Sequence, residues 1–368
     1  MPQRDVIVIG ASAGGVEVLR TIVAGLPSDL GAAVLIVLHM APSSPSVLPS
    51  LLMRRARLPV AFAVDGERVE RGRVLIAPPD RHLVVEDDRV RVTRAPRENH
   101  SRPAVDPLFR SAALACGPRV IGVILSGRLD DGTAGLWTVK DRGGVAVVQS
   151  PDDALHADMP RNALLYTQAD HVVRAVEIAP LLARLTTEAV PAIDDPPPSR
   201  ELEVEVRIAM EDNAFRQGVM SLGPVSPYTC PECHGVLVRL DEGGIPRFRC
   251  HTGHAFSLDT LLAVTTETVE ETLWGALRAI EESVMLLRES ALRVRSASNG
   301  DAASAHEVSA RFDAEAAAAE ARADAVRATV LRHRALSAES VREATRRHDL
   351  AAHRASGNGH APLAGDDH

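Results

Sequence analysis

The chain is short of aromatic residues, has few cysteines, and lacks both a long apolar run and a block of basic residues. Aromatics make up 3% of its 368 residues, against 45% apolar residues overall. A core of ordinary size must then rest on Val, Leu, Ile and Ala, and the length predicts two or three folded units. No segment approaches the ~20 apolar residues of a membrane-spanning helix, and Met1-Pro2-Gln3-Arg4-Asp5 leads directly into a short apolar strand, not a signal sequence. A net charge of −8 without a Lys/Arg block gives no footing for a nucleic-acid arm. The four cysteines do not make a disulfide framework, because three lie at metal-ligand spacing and only Cys116 is left over. These absences predict a soluble cytoplasmic protein with no membrane insertion and no nucleic-acid partner.

Residues 1–187 alternate short apolar runs with amphipathic stretches. Val6–Ile9, Ala33–Leu38, Val74–Ala77, Val120–Leu125 and Val145–Val148 are rich in Val and Ile, as suits strands buried on both faces of a parallel sheet. Gly15–Leu26, Ser46–Arg55, Val105–Cys116, Thr133–Asp141 and Pro160–Tyr166 have helical spacing. The alternation predicts an α/β domain with a doubly wound, mostly parallel sheet. Several β-like runs between Val60 and Arg94 have no long helix among them, which predicts an antiparallel excursion there. A linker is expected over 188–225, where Asp194-Asp195-Pro196-Pro197-Pro198 can neither continue a helix nor pair inside a sheet. A cysteine/histidine module follows over 226–258. Residues 259–350 read as a helical hairpin that opens at Ser257, a plausible N-cap, carries a stripe of Val269, Leu273, Leu277, Ile280, Val284 and Leu287, and breaks at Asn299-Gly300. The polar tail 351–368 is expected to be disordered.

The first strand runs into Gly10-Ala11-Ser12-Ala13-Gly14-Gly15. A glycine-rich strand-to-helix turn can cradle phosphate, can expose a serine nucleophile, or can be only a tight turn. Two features favour the nucleophile. The second strand ends in His39, a poor ribose partner and a good general base, and Ser12 stands where a dinucleotide site needs glycine. In a parallel sheet the C-terminal ends of all strands reach one edge. There Ser12, His39 and Asp131, which follows Val120–Leu125, bring a hydroxyl, an imidazole and a carboxylate. The competing role for His39 is a hydrogen-bonded structural histidine, and for Asp131 a cap on the helix from Thr133. The order Ser, His, Asp differs from that of α/β-hydrolases, so the elbow shares chemistry with them and not fold.

Several segments resemble the CheB-type chemotaxis protein-glutamate methylesterases: Ile9–Gly15, Val37–Met40, Ile76–His82, Ser101–Phe109, Gly122–Gly127 with Asp131-Gly132, and Gln149 with Met159-Pro160. The resemblance covers about residues 5–185. It implies a serine esterase with Ser12 as nucleophile, His39 as base and Asp131 as the acid that holds His39. The implied substrate is a glutamate γ-methyl ester on a methyl-accepting chemoreceptor, and no cofactor is implied for catalysis. Glutamine deamidation is a possible side activity of the same site. Backbone N–H groups at Ala13 and Arg128 are the candidate oxyanion donors, and Met159 borders the substrate pocket. The sequence departs from the family at Leu129, where the acid loop has glycine, and at Asp158, where Met-Pro is preceded by glycine. The chain starts at the catalytic domain, so control by an N-terminal receiver in the same chain is not expected.

Cys230-Pro231-Glu232-Cys233 and Cys250-His251-Thr252-Gly253-His254 bracket a short β-like stretch. Cys-x-x-Cys followed by Cys-x-x-x-His is the form of a zinc ribbon, which predicts a structural Zn on Cys230, Cys233, Cys250 and His254, with His251 or His234 as substitutes. A closed set of four ligands folds a small module and leaves no open position for catalysis. The alternative to the esterase is a non-catalytic module that docks a partner through ribbon and helices. The helices are candidates for binding a regulatory protein or for self-association.

Overall fold

The computed structural model describes residues 3–43, 47–190, 197–296 and 302–332. In chain order its elements are β1 (Val6–Ala11), α1 (Gly15–Gly25), β2 (Ala33–Leu38), α2 (Leu48–Met53), β3 (Val60–Phe62), β4 (Val74–Ile76), β5 (His82–Glu86), β6 (Arg89–Thr93), α3 (Val105–Cys116), β7 (Val120–Ile124), α4 (Thr133–Asp141), β8 (Val145–Gln149), α5 (Asp158–Tyr166), β9 (His171–Val173) and α6 (Ala175–Leu185). There follow α7 (Arg200–Ala209), β10 (Val225–Thr229), β11 (Val236–Glu242), β12 (Ile245–Cys250), β13 (Ala255–Ser257), α8 (Leu258–Ser296) and α9 (Ala302–Arg332). The chain divides into two compact units, Met1–Leu261 and Leu262–His368.

Seven strands form one parallel sheet in the order β3-β4-β2-β1-β7-β8-β9. Its central strands read as nearly unbroken apolar runs because both faces are covered. In β1, Ile7, Ile9 and Ala11 face one core with Leu19, Ile22 and Val23 of α1 and Ile178, Leu182 and Leu185 of α6. Val6 and Val8 face the other, with Leu108, Phe109 and Ala112 of α3, Leu136 and Val139 of α4, and Met159 of α5. Each of the Val, Leu, Ile, Phe and Met side chains among these stabilises the fold by roughly 1.5–3 kcal/mol when fully buried. The chain winds outward from β1 through β2 on one side and through β7 on the other. The strand order therefore reverses at β1, the position where open α/β sheets carry their sites.

The stretch from Val60 to Arg94 is antiparallel only in part. β3 and β4 extend the parallel sheet, and the hairpin β5–β6 alone is antiparallel, packed on α3. Residues 191–196, with the start of the proline run, lie outside the described residues. Beyond them the segment expected as linker folds into α7, whose N-cap Ser199 accepts a hydrogen bond from Leu202 N–H at 3.1 Å. Its Leu202, Val204, Glu205, Val206, Ile208 and Ala209 are buried, and α7 packs on α3. An alternating Glu/Val pattern that suits a strand is thus helical, because Ser199 caps it and α3 offers it a face.

The second sheet has the antiparallel order β10-β11-β12-β13 and belongs to the same unit as the catalytic-type domain. Its own core is small: Cys230, Leu237, Phe248, Cys250, Phe256 and Leu261. Five buried charges join it to α3, α7 and the loop ahead of α3. Arg249 Nη2 donates to Glu98 Oε1 at 2.7 Å and to Glu205 Oε1 at 2.9 Å, while Arg247 Nη1 donates to Glu205 Oε2 at 2.9 Å. Arg110 of α3 pairs with Glu98 and lies 3.6 Å from Glu205. All five side chains are at most 4% exposed. Burial alone would raise the pKa of each glutamate, but the surrounding guanidinium groups reverse this and hold both carboxylates ionised.

In the second unit α8 and α9 run antiparallel. Glu281 pairs with Arg327, Arg288 with Glu320 and Arg295 with Asp313, and Ile280, Val284 and Leu287 pack on Ala316 and Ala319. The expected break at Asn299-Gly300, the remainder of the hairpin from residue 333 and the tail 351–368 lie outside the described residues.

Candidate active site and metal centre

Ser12 follows the last residue of β1, His39 the last residue of β2, and Asp131 sits in the loop between β7 and α4. Strand adjacency does the rest. His39 N–H donates to Ala11 O at 3.1 Å, Leu125 N–H to Gly10 O at 2.9 Å and Ser12 N–H to Ser126 O at 3.0 Å, so the three strand ends are stitched together. Gly14 adopts φ 76° between Ser12 and α1, and a Cβ there would lie 2.8 Å from Ser126 Oγ. Glycine is needed at that position on both counts.

The side chains form a hydrogen-bonded chain. Ser12 Oγ lies 3.1 Å from His39 Nδ1, and His39 Nε2 lies 2.7 Å from Asp131 Oδ2. Ser12 and His39 are half-buried, whereas Asp131 is 2% exposed. Asp131 Oδ2 also accepts from Val105 N–H at 2.6 Å, and its Oδ1 accepts from Asn99 Nδ2 at 2.9 Å and from Asp106 N–H at 3.3 Å. Burial opposes its ionisation, but the bond to His39, the His39 charge, Val105 N–H and the Asn99 amide outweigh it and hold the carboxyl at about 2. An acid so placed stays ionised and keeps the proton of the facing imidazole on Nε2, which leaves Nδ1 free to accept from Ser12.

Of the two expected oxyanion donors, Ala13 follows Ser12 directly and Arg128 follows Gly127, whose position lies against Ser12 Cβ. Among the described residues the N–H groups of Ala13 and Arg128 have no protein acceptor. Arg128 lies in a loop held by Ser126, whose Oγ donates to Ala13 O at 2.8 Å and accepts from His156 N–H at 2.9 Å. Leu129, where the resemblance expects glycine, keeps a glycine-like backbone with φ 61°, and Asn162 Nδ2 donates to its carbonyl at 3.0 Å. Met159, expected at the pocket border, is fully buried. It packs so closely under Gly127 that a Cβ on that glycine would meet Met159 Sδ at 1.9 Å and Ser12 Cβ at 2.9 Å. Its side chain belongs to the apolar core packed against the sheet.

Several residues at this site were not singled out from the sequence. Asn99 and Asp106 touch Asp131 directly; Asp106 lies in the resembling segment Ser101–Phe109, and His82 in Ile76–His82, but the resemblance gives neither a role there, and Asn99 lies just ahead of the first of these segments. Asp106 accepts from Gly135 N–H at 2.7 Å, and burial followed by the charge of Asp131 raises it to about 6. His82 is structural: Nε2 donates to Pro96 O at 3.1 Å, Nδ1 accepts from Ala104 N–H at 3.2 Å, and burial lowers its pKa to about 4.

The cysteine/histidine set also comes together. Cys230, Cys233, Cys250 and His254 hold their ligand atoms within 4.8 Å of one another, and neither His251 nor His234 joins them. Cys233 Sγ to Cys250 Sγ is 3.7 Å, and His254 Nδ1 lies 3.7 Å from Cys230 Sγ and 3.6 Å from Cys250 Sγ. A tetrahedron with Zn–S bonds of about 2.3 Å has edges of about 3.8 Å, so the set has the dimensions of a structural zinc site. Two tight turns present the ligands, with His234 N–H bonded to Cys230 O at 2.8 Å and Gly253 N–H to Cys250 O at 2.9 Å.

Over its first half the chain is similar to known proteins. Residues 7–182 match the family model described as CheB methylesterase, which leaves the ribbon and helices outside the match. A Leptospira interrogans protein, provisionally named protein-glutamate methylesterase/protein-glutamine glutaminase, is 38% identical over 182 residues, which are 49% of this chain and 94% of the relative. The Anaeromyxobacter dehalogenans protein-glutamate methylesterase/protein-glutamine glutaminase 2 is 40% identical over 182 residues, and there the match spans about half of each protein, 50% and 53%. Among solved structures, the Thermotoga maritima CheB methylesterase catalytic domain is 34% identical at a TM-score of 0.48, covering 50% of this chain and 100% of that one.

Proposed function

Because the chain belongs to the CheB methylesterase family, we propose that it hydrolyses glutamate γ-methyl esters on methyl-accepting chemoreceptors, with Ser12, His39 and Asp131 as its catalytic triad. The observation that carries this reading is the continuous chain from Ser12 Oγ through His39 to Asp131, with links of 3.1 and 2.7 Å. In the first half-reaction His39 Nδ1 takes the hydroxyl proton as Ser12 Oγ attacks the ester carbonyl. The oxyanion lies toward the Ala13 and Arg128 N–H groups, and collapse of the tetrahedral adduct expels methoxide, which leaves as methanol with the proton from His39. In the second half, water attacks the glutamyl–Ser12 ester with His39 as base. Glutamate and free Ser12 result. Asp131 stays ionised throughout and stabilises the imidazolium that forms in each half.

Glutamine deamidation would follow the same path, with ammonia in place of methanol, and both activities stand in the names of the relatives. The Cys230, Cys233, Cys250 and His254 set is read as a structural zinc site. No helix among the described residues is long and apolar enough to cross a membrane, in keeping with the cytoplasmic location proposed. The helical unit is read as the surface for a regulatory protein or a second copy, a reading supported by the exposure of Trp274, Met285, Leu286 and Leu292.

The test is methanol release from methyl-labelled receptor membranes by the full chain and by Ser12→Ala. Release by the wild type that disappears with Ser12→Ala bears out both the reaction and the nucleophile. No release by the wild type turns the reading to a docking module.

A further inference from the structure

The ribbon and the acid loop share a hydrogen-bonded seam that the esterase chemistry does not use. Residues 97–99 run beside β13. Asn99 N–H donates to Ala255 O at 2.8 Å, and Ala255 N–H donates to Arg97 O at 3.2 Å. The Asn99 side chain then bridges the two halves: Oδ1 accepts from Ser257 N–H at 2.9 Å, while Nδ2 donates to Asp131 Oδ1 at 2.9 Å and to Asp106 Oδ2 at 3.2 Å. Its partners dictate this orientation. A flipped amide would set its oxygen against two carboxylates and its NH2 against a backbone N–H.

The residue before the acid is held from the same side. Ser257 Oγ donates to Asp130 Oδ1 at 2.6 Å, and Thr260 Oγ1 donates to the same atom at 3.2 Å. Asp130 and Asp131 therefore both hang on residues 255–260. Without Asn99, the one donor left on Asp131 Oδ1 is Asp106 N–H at 3.3 Å.

What fixes residues 255–260 is the ribbon. β13 is three residues long and pairs with β12, which ends in the ligand Cys250, while the ligand His254 directly precedes Ala255. A core of six residues is too small to hold such a module by itself. A metal that ties Cys250 and His254 to Cys230 and Cys233 sets where β13 lies.

On the reading of Ser12 as an esterase nucleophile, we propose that Asn99 is the positioning residue for Asp131, and that the metal in the ribbon governs turnover through it. The metal clamps β13, β13 orients the Asn99 amide, and the amide holds the Asp131 carboxylate against His39. The chain is thereby a metal-dependent esterase in which no metal touches the substrate.

The experiment uses the full chain as wild type, Ser12→Ala and Asn99→Ala, each loaded with Zn²⁺ or stripped by a chelator. It reads kcat and KM for methanol release from methylated receptor membranes, bound zinc and far-ultraviolet circular dichroism. Loaded Asn99→Ala is expected to lose about 10- to 100-fold in kcat with KM within about twofold, at unchanged zinc content, since small misplacements of a catalytic group cost that much. Stripped wild type is expected to fall by a similar factor and to recover with Zn²⁺. Stripping should change Asn99→Ala by no more than about twofold, because the link is already cut. Wild-type kcat in loaded Asn99→Ala, or equal losses on stripping in both chains, overturns the proposal. Stripping that unfolds the whole chain overturns the metal's part, which requires a folded chain that loses turnover through Asn99, and loaded Asn99→Ala then decides the role of Asn99. Release that survives Ser12→Ala marks failure of the esterase reading itself, whereas release lost in Ser12→Ala but intact in Asn99→Ala sinks only the role of Asn99.

Discussion

Asp106 and Asp131 each occupy the N-terminus of the helix that the other adjoins. Asp131, two residues before α4, accepts from Val105 and Asp106 N–H at the start of α3, and Asp106 accepts from Gly135 N–H in the first turn of α4. Both carboxylates gain from the positive helix ends. Ionised together they repel, and the cost falls on Asp106, which burial and the Asp131 charge raise to about 6.

A pH signature follows for Asp106. In the folded chain it holds a proton up to about pH 6, while its ordinary value is 3.8. The folded form therefore binds the extra proton between those limits, and this group stabilises the fold as pH falls through that window. Thermal unfolding of wild type and Asp106→Asn, compared from about pH 6.5 to about 4.5, should show the wild type gaining on the variant as the medium is acidified. A difference that stays flat would remove this assignment.

Replacement of Asp131 tests the other member of the pair. Asp131→Asn keeps the shape but places an amide where His39 Nε2–H needs an acceptor, so the imidazole favours the wrong tautomer. Turnover should fall on the order of 10⁴-fold while circular dichroism is unchanged. A loss below about tenfold would mean that Asp131 serves the helix ends more than the imidazole. Because Asp131 is held at about 2, its own protonation should not shape the pH–rate profile above about pH 4.

Leu129 offers a test of backbone strain. A leucine in the left-handed region costs roughly 1–2 kcal/mol, so Leu129→Gly relieves strain and should keep turnover within about twofold. Leu129→Val should lose at least as much stability as the leucine already costs, because a branched Cβ fits that region worse. Urea unfolding of the three chains orders them, and a valine chain as stable as wild type contradicts the expectation.

The buried charges give the largest stability effect. Arg249→Met strands Glu98 and Glu205 with fewer partners in a dry interior, and the loss should be about 3–5 kcal/mol in denaturant unfolding. Surface pairs such as Arg288 with Glu320 should each cost under about 1 kcal/mol when removed. Similar losses at the two kinds of site would show that the five-charge cluster is open to water.

The parts legible in the sequence are those that rest on short-range patterning. The Val/Ile runs marked β1, β2 and β7, and parallel order then placed Ser12, His39 and Asp131 at one edge. The cysteine spacing marked in the same way the four side chains that come together as a cluster able to hold a metal. What stayed hidden depends on distant partners. Asn99 meets Ser257 across 158 positions and Arg249 meets Glu98 across 151, and no periodicity records such pairs. α7 stayed hidden because the proline run ahead of it reads as a linker and the helix it packs on, α3, is distant in the chain.

The cluster of Arg110, Glu98, Glu205, Arg247 and Arg249 also bears on how such a chain changes over generations. Its members come from α3, a loop, α7 and β12, so neither half of the first unit can vary there alone. A substitution at any one of them leaves an opposite charge buried with fewer partners, so a compensating change at a second member is expected to relieve it. Heritable variation at these five positions should therefore be correlated across the whole length from residue 98 to residue 249.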